Sequence, residues 1–331
     1  MTDMTEMADE NNALGSIDRV RKIAVIGGGA MGRGCAQVFA AAGYPVSLQS
    51  RKLETLAKAM ETIRHDLGFL AERSVGRKED IDAIVARVQP TQSQKEALDG
   101  ADFVLECAFE DLELKQQLFR EMDQAAKPDA VLATNTSVMS ITEIASKSEH
   151  RERILGTHWW NPPILIPLVE VVRTEQVADW AVDLTMELMR KIGKHPVLVK
   201  KDVPGFVANR LQHALWREAI SIVERGIADA KTVDESIKFG FGMRLPVFAP
   251  LETADSGGLD MTLAIHSYVL KYLEDSHEPS PLLKEKVEKG ELGFKTGGKG
   301  FMEWTPEEMK ALRERLLDYL ARVAASSAKP A

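Results

Sequence analysis

Short apolar runs alternate with longer amphipathic stretches from residue 20 onward, and the short runs have the length and composition of β-strands. Several of the segments between them repeat apolar residues at helical spacing. Strands that alternate with helices in this way predict parallel strands joined by crossover helices. The runs that predict strands are KIAVIGG (22–28), PVSLQS (45–50), ADFVLECA (101–108), AVLATNT (130–136), ILGTHWW (154–160) and LVEVV (168–172).

A long stretch between Ser50 and Gly100 separates the second predicted strand from the third. It holds about two helices' worth of residues, which is more than a minimal crossover needs. We therefore predict a helical excursion from the sheet at this place, with room for ligand contacts.

The character of the chain changes close to residue 200. Pro204 and Gly205 interrupt the pattern, and helical periodicity dominates from Phe206 onward. The predicted fold class is α/β, a Rossmann-type doubly wound sheet followed by a smaller all-helical domain whose helices a partner subunit could complete. The predicted parts are a disordered leader over 1–19, the doubly wound domain over 20–201 and the helical domain over 202–331.

Composition narrows the class of protein. A chain of 331 residues exceeds the roughly 250 to 300 residues at which one core stops growing, which agrees with two domains. The net charge is −8, and the Lys and Arg residues are dispersed, so we expect no nucleic-acid partner. The N-terminus is acidic and no apolar run approaches the length of a membrane span, so we expect a cytoplasmic protein with no membrane contact. Cys35 and Cys107 lie in apolar segments without zinc spacing, and we expect no metal site.

A glycine-rich turn follows the first predicted strand and opens an apolar helix. Gly27, Gly29 and Gly32 stand in the order G-x-G-x-x-G, in which the first permits a tight turn, the second lets a pyrophosphate approach and the third brings helix against strand. The backbone amides of Gly29, Ala30 and Met31 would then face the phosphates of a dinucleotide. The alternative is a tight turn without a ligand, but the strand and helix around it favour a dinucleotide site.

The end of the second strand bears on which dinucleotide binds. Ser50 and Arg51 stand where an NAD-binding chain normally presents Asp or Glu to the ribose hydroxyls. A hydroxyl and a guanidinium can both donate hydrogen bonds to a 2′-phosphate, which favours NADP. In the alternative, Arg51 is a solvated residue at a helix start and the chain binds NAD with a weaker ribose contact.

His158 and Glu170 are the candidate catalytic pair. His158 lies close to the end of one predicted strand, an NPP turn follows, and Glu170 lies on the returning strand, so the two side chains can meet across a strand pair. A carboxylate among the apolar residues of LVEVV is costly unless a donor such as an imidazole N–H pairs with it. Held in this way, His158 could take a proton from a substrate hydroxyl while hydride leaves the carbon that bears this hydroxyl. The alternatives are a core histidine or a structural ion pair.

Two further polar positions follow from the pattern. The NTS sequence of 135–137 follows a strand, at the sheet edge where Rossmann ligands bind. Ser137 could instead cap the helix that begins in VMSITEIA. Asn209 could be an ordinary polar residue on a helix face, or it could reach the reacting oxygen, which is the oxygen of the substrate hydroxyl.

With these residues in place, the chain resembles the L-3-hydroxyacyl-CoA dehydrogenase family from residue 20 to about residue 320. The matching pieces occur in the same order along the chain, and the ordered series is much more specific than the glycine motif. They are GGGAMGRG, ECAFEDLELKQQLF, TNTSVMSIT, GTHWWNPP, PLVEVV, GKHPVLVKKDVPGFVANRL, VERGIA and GFKTGGKGF.

The resemblance implies roles for individual residues. His158 would be the general base for oxidation and Glu170 its orienting partner. Ser137 and Asn209 would bind the reacting oxygen, and Asn135 and Asn161 would lie near the nicotinamide. Glu110 and Lys115 would line the cleft for cofactor and substrate, and the helical domain would mediate a homodimer. The resemblance favours NAD, whereas Ser50 and Arg51 favour NADP.

The substrate implied is a short-chain 3-hydroxyacyl-CoA, although the chain departs from the acyl-CoA members in two ways. The stretch METIRHDLGFLAER (60–73), which is comparable to their lysine-rich helix after the second strand, has only Arg64, His65 and Arg73 as possible cations, and tryptophan replaces the usual phenylalanine of the HWWNPP turn. A free small β-hydroxy acid, as in the related carnitine and gulonate dehydrogenases, is therefore the alternative substrate. A dinucleotide-binding protein without turnover is a further alternative.

Overall fold

A computed structural model of the protein describes residues 14–327, and its central feature is one eight-stranded sheet. The strand order is β3-β2-β1-β4-β5-β6-β7-β8, and neighbouring strands are parallel except for β6 and β7. The strands are β1 (Ile23–Ile26), β2 (Val46–Gln49), β3 (Val88–Thr91), β4 (Phe103–Glu106), β5 (Val131–Thr134), β6 (Ile154–Trp159), β7 (Leu168–Val172) and β8 (His195–Val199).

Helices cover both faces of this sheet. Side chains alternate between the faces along each strand, so Ile23 and Val25 of β1 enter one apolar core while Ala24 and Ile26 enter the other. The helices up to residue 191 are α1 (Ala30–Ala41), α2 (Leu53–Glu72), α3 (Ile81–Ala86), α4 (Gln94–Leu98), α5 (Leu112–Ala125), α6 (Ile141–Ile144) and α7 (Asp179–Lys191). The predicted Rossmann-type doubly wound sheet is confirmed.

Two strands were not predicted. β3 interrupts the expected helical excursion between Ser50 and Gly100, and only Val88 of its four residues is buried. β8 is likewise an edge strand, with one buried residue, Val199. Edge strands lack the apolar alternation on which the prediction depended, and they also tolerate proline, here Pro90.

The reversal of direction between β6 and β7 brings the two residues of the candidate catalytic pair opposite each other. An eight-residue connection, 160–167, joins the two antiparallel strands, and His158 lies directly opposite Glu170 in their register. The predicted return of the chain and the meeting of these residues across a strand pair are therefore confirmed.

The chain divides into two compact units. The first runs up to Asn209 and includes the chain from Leu317 onward, where Ala321 packs with Leu70 and Leu165. The second runs from Arg210 to Leu316 and is helical, apart from two isolated bridges among residues 293–303. The remaining helices are α8 (Ala208–Glu224), α9 (Ala230–Phe239), α10 (Pro250–Gly257), α11 (Leu259–Val269), α12 (Pro281–Glu288) and α13 (Pro306–Ser327).

Part of the predicted leader is ordered. Residues 1–13 lie outside the described residues, but Ile17–Arg19 form a short 3-10 turn in which Ile17 is buried. The Arg19 guanidinium lies 2.8 Å from a carboxylate oxygen of Asp129. For residues 14–19 the expectation of disorder was therefore wrong. Across residues 14–327, no helix combines the length and apolar character that a membrane crossing requires.

Candidate active site

The turn between β1 and α1 is shaped by two glycines. Gly27 has a φ of +114°, and a Cβ built there would lie 2.5 Å from the carbonyl oxygen of Cys107. A Cβ on Gly32 would lie 1.7 Å from the carbonyl oxygen of Gly27. Backbone therefore occupies the space that a side chain would need at both positions, which explains the glycines by packing alone.

Gly29 differs from these two, because a Cβ built there meets no atom of the described chain within 4 Å. Gly29 is the N-cap of α1 in an extended conformation, makes no side-chain cap and is followed by no acidic residue in the first turn. Gly29 and Ala30 are exposed, and Met31 is half-buried. The first amides of α1 thus face open space at the positive end of a helix, which fits a pyrophosphate group such as NAD carries.

Ser50 and Arg51 follow β2 beside this turn. The Ser50 amide donates to the carbonyl oxygen of Thr91, and the Arg51 carbonyl accepts from Nε2 of Gln92 at 2.8 Å. The Arg51 side chain is exposed, and its guanidinium makes no hydrogen bond or ion pair with any residue of 14–327. It is thus a cation available to a ligand or to solvent.

His158 and Glu170 form a buried hydrogen-bonded pair. Nδ1 of His158 lies 2.7 Å from Oε2 of Glu170, and the Glu170 side chain is 0% exposed. Oε1 of Glu170 accepts from the backbone amides of Val207 at 3.0 Å and Ala208 at 2.9 Å. The carboxylate therefore holds both the imidazole and the start of α8.

The protonation of Glu170 follows from these contacts. Burial alone would raise its pKa, but the hydrogen bonds from His158 and from the amides of Ala208 and Val207, with the positive charge of a protonated His158, bring the pKa below its ordinary value. A Glu170 that is ionised at neutral pH only accepts hydrogen bonds, so Nδ1 of His158 must carry a proton. Nε2 is then the basic nitrogen of the neutral ring.

Two aromatic rings enclose the imidazole. The ring centroids of Trp160 and Phe206 lie 5.3 Å and 5.7 Å from that of His158. Phe206 is buried and has a φ of +48°. Phe206 was not predicted, because the only signal in its sequence context is the interruption of the pattern at Pro204 and Gly205.

The loop after β5 brings three predicted residues together. Oδ1 of Asn135 accepts from the Trp159 amide at 2.9 Å, next to His158 on β6. Nδ2 of Asn209 donates to the carbonyl oxygen of Ser137 at 2.9 Å. The Ser137 hydroxyl makes no hydrogen bond with the residues that the structure describes. The alternative role of Ser137 as a helix cap was wrong, because the Ser140 side chain caps α6.

Glu110 and Lys115 lie in different surroundings. Glu110 is exposed, and its carboxylate accepts from the Ser137 amide at 2.7 Å and from Oγ1 of Thr136 at 2.8 Å. The Lys115 side chain is 1% exposed, and its ammonium bonds to both carboxylate oxygens of Glu106. Glu106 was missed, although a glutamate in the apolar run FVLE is the same signal that identified Glu170.

Asn161 lies in the turn after β6, where its side chain is exposed and forms no hydrogen bond within the described part of the chain. A cis peptide bond joins it to Pro162. No group of three or more His, Cys, Asp or Glu side chains suited to a metal ion occurs among residues 14–327.

Comparisons with known proteins agree along nearly the whole chain. The model of the 3-hydroxyacyl-CoA dehydrogenase NAD-binding domain matches residues 22–203, and that of the family's C-terminal domain matches residues 205–304. The chain is 38% identical over 285 residues to a probable 3-hydroxybutyryl-CoA dehydrogenase of Deinococcus radiodurans, covering 86% of this chain and 100% of the relative. It is 35% identical over 300 residues to the 5-formyl-3-hydroxy-2-methylpyridine 4-carboxylate 5-dehydrogenase of Mesorhizobium japonicum, covering 89% and 94%.

Solved structures give the same result. A crystal structure of a 5-formyl-3-hydroxy-2-methylpyridine 4-carboxylic acid 5-dehydrogenase, described as an NAD⁺-dependent dismutase, matches with a TM-score of 0.84 at 33% identity, covering 92% of this chain and 97% of that one. The (S)-3-hydroxybutyryl-CoA dehydrogenase of Ralstonia eutropha matches with a TM-score of 0.73 at 31% identity, covering 86% and 99%. The chain therefore belongs to the 3-hydroxyacyl-CoA dehydrogenase family, oxidoreductases that act on CH–OH groups with NAD.

Proposed function

We propose that the protein oxidises the 3-hydroxyl group of a short-chain 3-hydroxyacyl-CoA with NAD, or reduces the matching ketone. The observation that carries this proposal is the buried pair of His158 and Glu170, with 2.7 Å between Nδ1 and Oε2. Relatives named 3-hydroxybutyryl-CoA dehydrogenase support the choice of substrate.

In this mechanism His158 moves the proton. Its Nε2 accepts the proton of the substrate hydroxyl, while Nδ1–H remains hydrogen-bonded to Glu170, whose negative charge stabilises the imidazolium that forms. The free hydroxyl of Ser137 and the amide of Asn209 bind the reacting oxygen. The backbone amides of Gly29, Ala30 and Met31 would hold NAD, which would supply the acceptor for the hydride of the substrate carbon.

The first experiment replaces the base. His158→Ala should lower kcat/KM for 3-hydroxybutyryl-CoA by about 10³-fold while leaving the Kd for NAD unchanged, because general base catalysis contributes about 10² to 10⁴-fold. Oxidation is followed by the absorbance of the reduced nicotinamide. His150→Ala is the matched control, since that histidine is exposed and outside the site. Undiminished turnover by the His158 variant, or no turnover by the wild-type protein on any hydroxy compound, would contradict the proposal.

A free small β-hydroxy acid is the second candidate substrate. The two arginines available for a CoA nucleotide on or next to α2 are already paired, since Arg64 lies 2.5 Å from Asp82 and Arg73 lies 2.7 Å from Asp318. Pairing with carboxylates reduces the local positive field for an anionic nucleotide. Comparing kcat/KM for 3-hydroxybutyryl-CoA with that for 3-hydroxybutyrate, carnitine and L-gulonate separates the two candidates.

The choice between NAD and NADP depends on Arg51. Its unpaired, exposed guanidinium next to Ser50 supports binding of a 2′-phosphate in addition to the NAD of the family. Arg51→Ala should then raise the Kd for NADP about tenfold and leave that for NAD nearly unchanged, as for the loss of one charge-assisted hydrogen bond. Equal effects on both dinucleotides would limit Arg51 to a solvated role.

The second unit supports a homodimer. Several of its large apolar side chains are more than half exposed, which is far more than the surface of a monomer usually shows. They include Phe239, Met243, Val247, Leu251, Leu259, Met261, Leu263 and Tyr268. A second copy of this chain is the expected occupant of this surface, in agreement with the dimerisation role that the family resemblance implies.

A further inference from the structure

A second carboxylate, Glu106 at the end of β4, is completely buried. Its oxygens accept from Nζ of Lys115 at 2.8 and 3.0 Å, from the Ala108 amide at 2.5 Å and from Oγ1 of Thr134 at 2.7 Å. A buried charge is tolerated only with such compensation, so Glu106 and Lys115 depend on each other. Neither belongs to the His158 pair, and proton transfer by that pair uses neither.

Lys115 connects Glu106 to a carboxylate at the surface. Its ammonium, anchored by Glu106, lies 3.7 Å from Oε2 of Glu110. Glu110 is 40% exposed at its side chain, so it would otherwise be free to turn into solvent. The fixed positive charge below it favours the conformation in which Glu110 faces the loop after β5.

Glu110 in turn holds that loop. Its two oxygens accept from the Ser137 amide and from Oγ1 of Thr136. The carbonyl oxygen of Ser137 accepts from Nδ2 of Asn209. The backbone of Ser137 is thus held at its amide by Glu110 and at its carbonyl by Asn209, which leaves the Ser137 hydroxyl as the free group.

We propose that Glu106 is a positioning residue for the dehydrogenase reaction, acting through Lys115 and Glu110 to hold Ser137 where its hydroxyl meets the reacting oxygen. This inference rests on the proposed function, because the group that the network positions is the one proposed to contact the bound substrate. The chain of contacts spans alternating charges, negative at Glu106, positive at Lys115 and negative at Glu110. Removing the negative charge of Glu106 leaves the Lys115 ammonium without its ion-pair partner. Lys115 then no longer holds Glu110 against the backbone of Ser137.

The first test uses Glu106→Gln, which keeps the size of the side chain and removes its charge. We expect kcat to fall about 100-fold, as for a small misplacement of a catalytic group. In a Ser137→Ala background, the same substitution should cause no further loss, because the group that it positions is already absent. Losses that multiply in the double variant would overturn the proposal.

A charge-balanced variant separates positioning from stability. Glu106→Gln together with Lys115→Met leaves no unpaired charge in the core, so the melting temperature should recover relative to Glu106→Gln alone. The value of kcat should remain low, because Glu110 still lacks its anchor. Recovery of kcat in parallel with the melting temperature would reduce Glu106 to a structural role.

If the substitutions at Glu106 and Lys115 prevent folding, a variant that keeps both residues tests the same network. Thr136→Val removes one donor to Glu110 and should lower kcat about tenfold, the value of one hydrogen bond. Thr157→Val is the control, since the Thr157 hydroxyl is buried on β6 without a hydrogen-bond partner among residues 14–327. Full activity of the Thr136 variant would count against the network. Full activity of Ser137→Ala alone would contradict the proposed function itself, so the two failures are distinguishable.

Discussion

Glu170 uses each of its carboxylate oxygens for a different contact. Oε2 holds the imidazole of His158, and Oε1 holds the amides of Val207 and Ala208 at the start of α8. The same carboxylate therefore sets the tautomer of the imidazole and fixes the backbone beside Asn209. A single substitution at this position should disturb both the proposed proton transfer by His158 and the proposed binding of the substrate oxygen by Asn209.

The lowered pKa of Glu170 predicts how stability depends on pH. A carboxyl group whose pKa is lower in the folded state contributes its full stabilisation above its ordinary pKa of 4.5, and loses it as the pH falls through the folded value. Glu170→Gln should therefore be less stable than wild type at pH 7, and the difference should shrink on acidification below about pH 4.5. Urea unfolding of both proteins over a pH series measures this difference. A constant difference down to about pH 3 would contradict the prediction.

At the scale of elements, the junction of β1 and α1 contains glycines that serve different purposes. Gly32 allows the helix to approach the strand, whereas a Cβ added to Gly29 would meet no atom of the described chain within 4 Å. Gly32 is required by the fold, and Gly29 is required only when a ligand approaches the backbone.

Alanine substitutions should separate these purposes. Gly32→Ala should lower the free energy of unfolding by about 1–3 kcal/mol or more, because its Cβ collides with a carbonyl oxygen. Gly29→Ala should leave stability unchanged and weaken NAD binding about tenfold, or ~1.4 kcal/mol. Urea unfolding and calorimetric titration with NAD provide the two measurements. Gly68→Ala, inside α2 with open space around it, is the control for both.

How much could be predicted from the sequence also differs between elements. The central strands and the His158–Glu170 pairing were predictable, because buried runs and a carboxylate among apolar residues leave a clear pattern. The edge strands β3 and β8 were not predictable, since one face or one edge of each meets solvent. The Glu106–Lys115 pair follows from the packing of α5 on β4, and that contact has no signature in spacing.

At the scale of the whole molecule, the two units differ in how they bury apolar residues. The first encloses two cores on either side of its sheet. In the second, residues 210–316, Val233 and Ser221 are the only buried side chains within the described chain, and many apolar side chains remain exposed. We therefore expect this unit to complete its core through association.

Association of two copies is therefore a direct prediction. Sedimentation velocity should show a dimer for the wild-type protein and mainly monomer for Leu251→Asp or Leu263→Asp, because a buried unpaired charge opposes an apolar interface. Leu53→Asp, an equally exposed apolar residue in the first unit, is the matched control and should remain dimeric. A wild-type monomer at micromolar concentration would contradict the prediction.

The short connection between β6 and β7 affects the order in which the site is lost on unfolding. His158 and Glu170 are 12 residues apart in the chain, whereas Ser137 and Asn209 are 72 apart. Closing the longer segment costs about 1.6 kcal/mol more in chain entropy. Partial opening of the molecule should therefore separate Asn209 from Ser137 first, while His158 stays joined to Glu170.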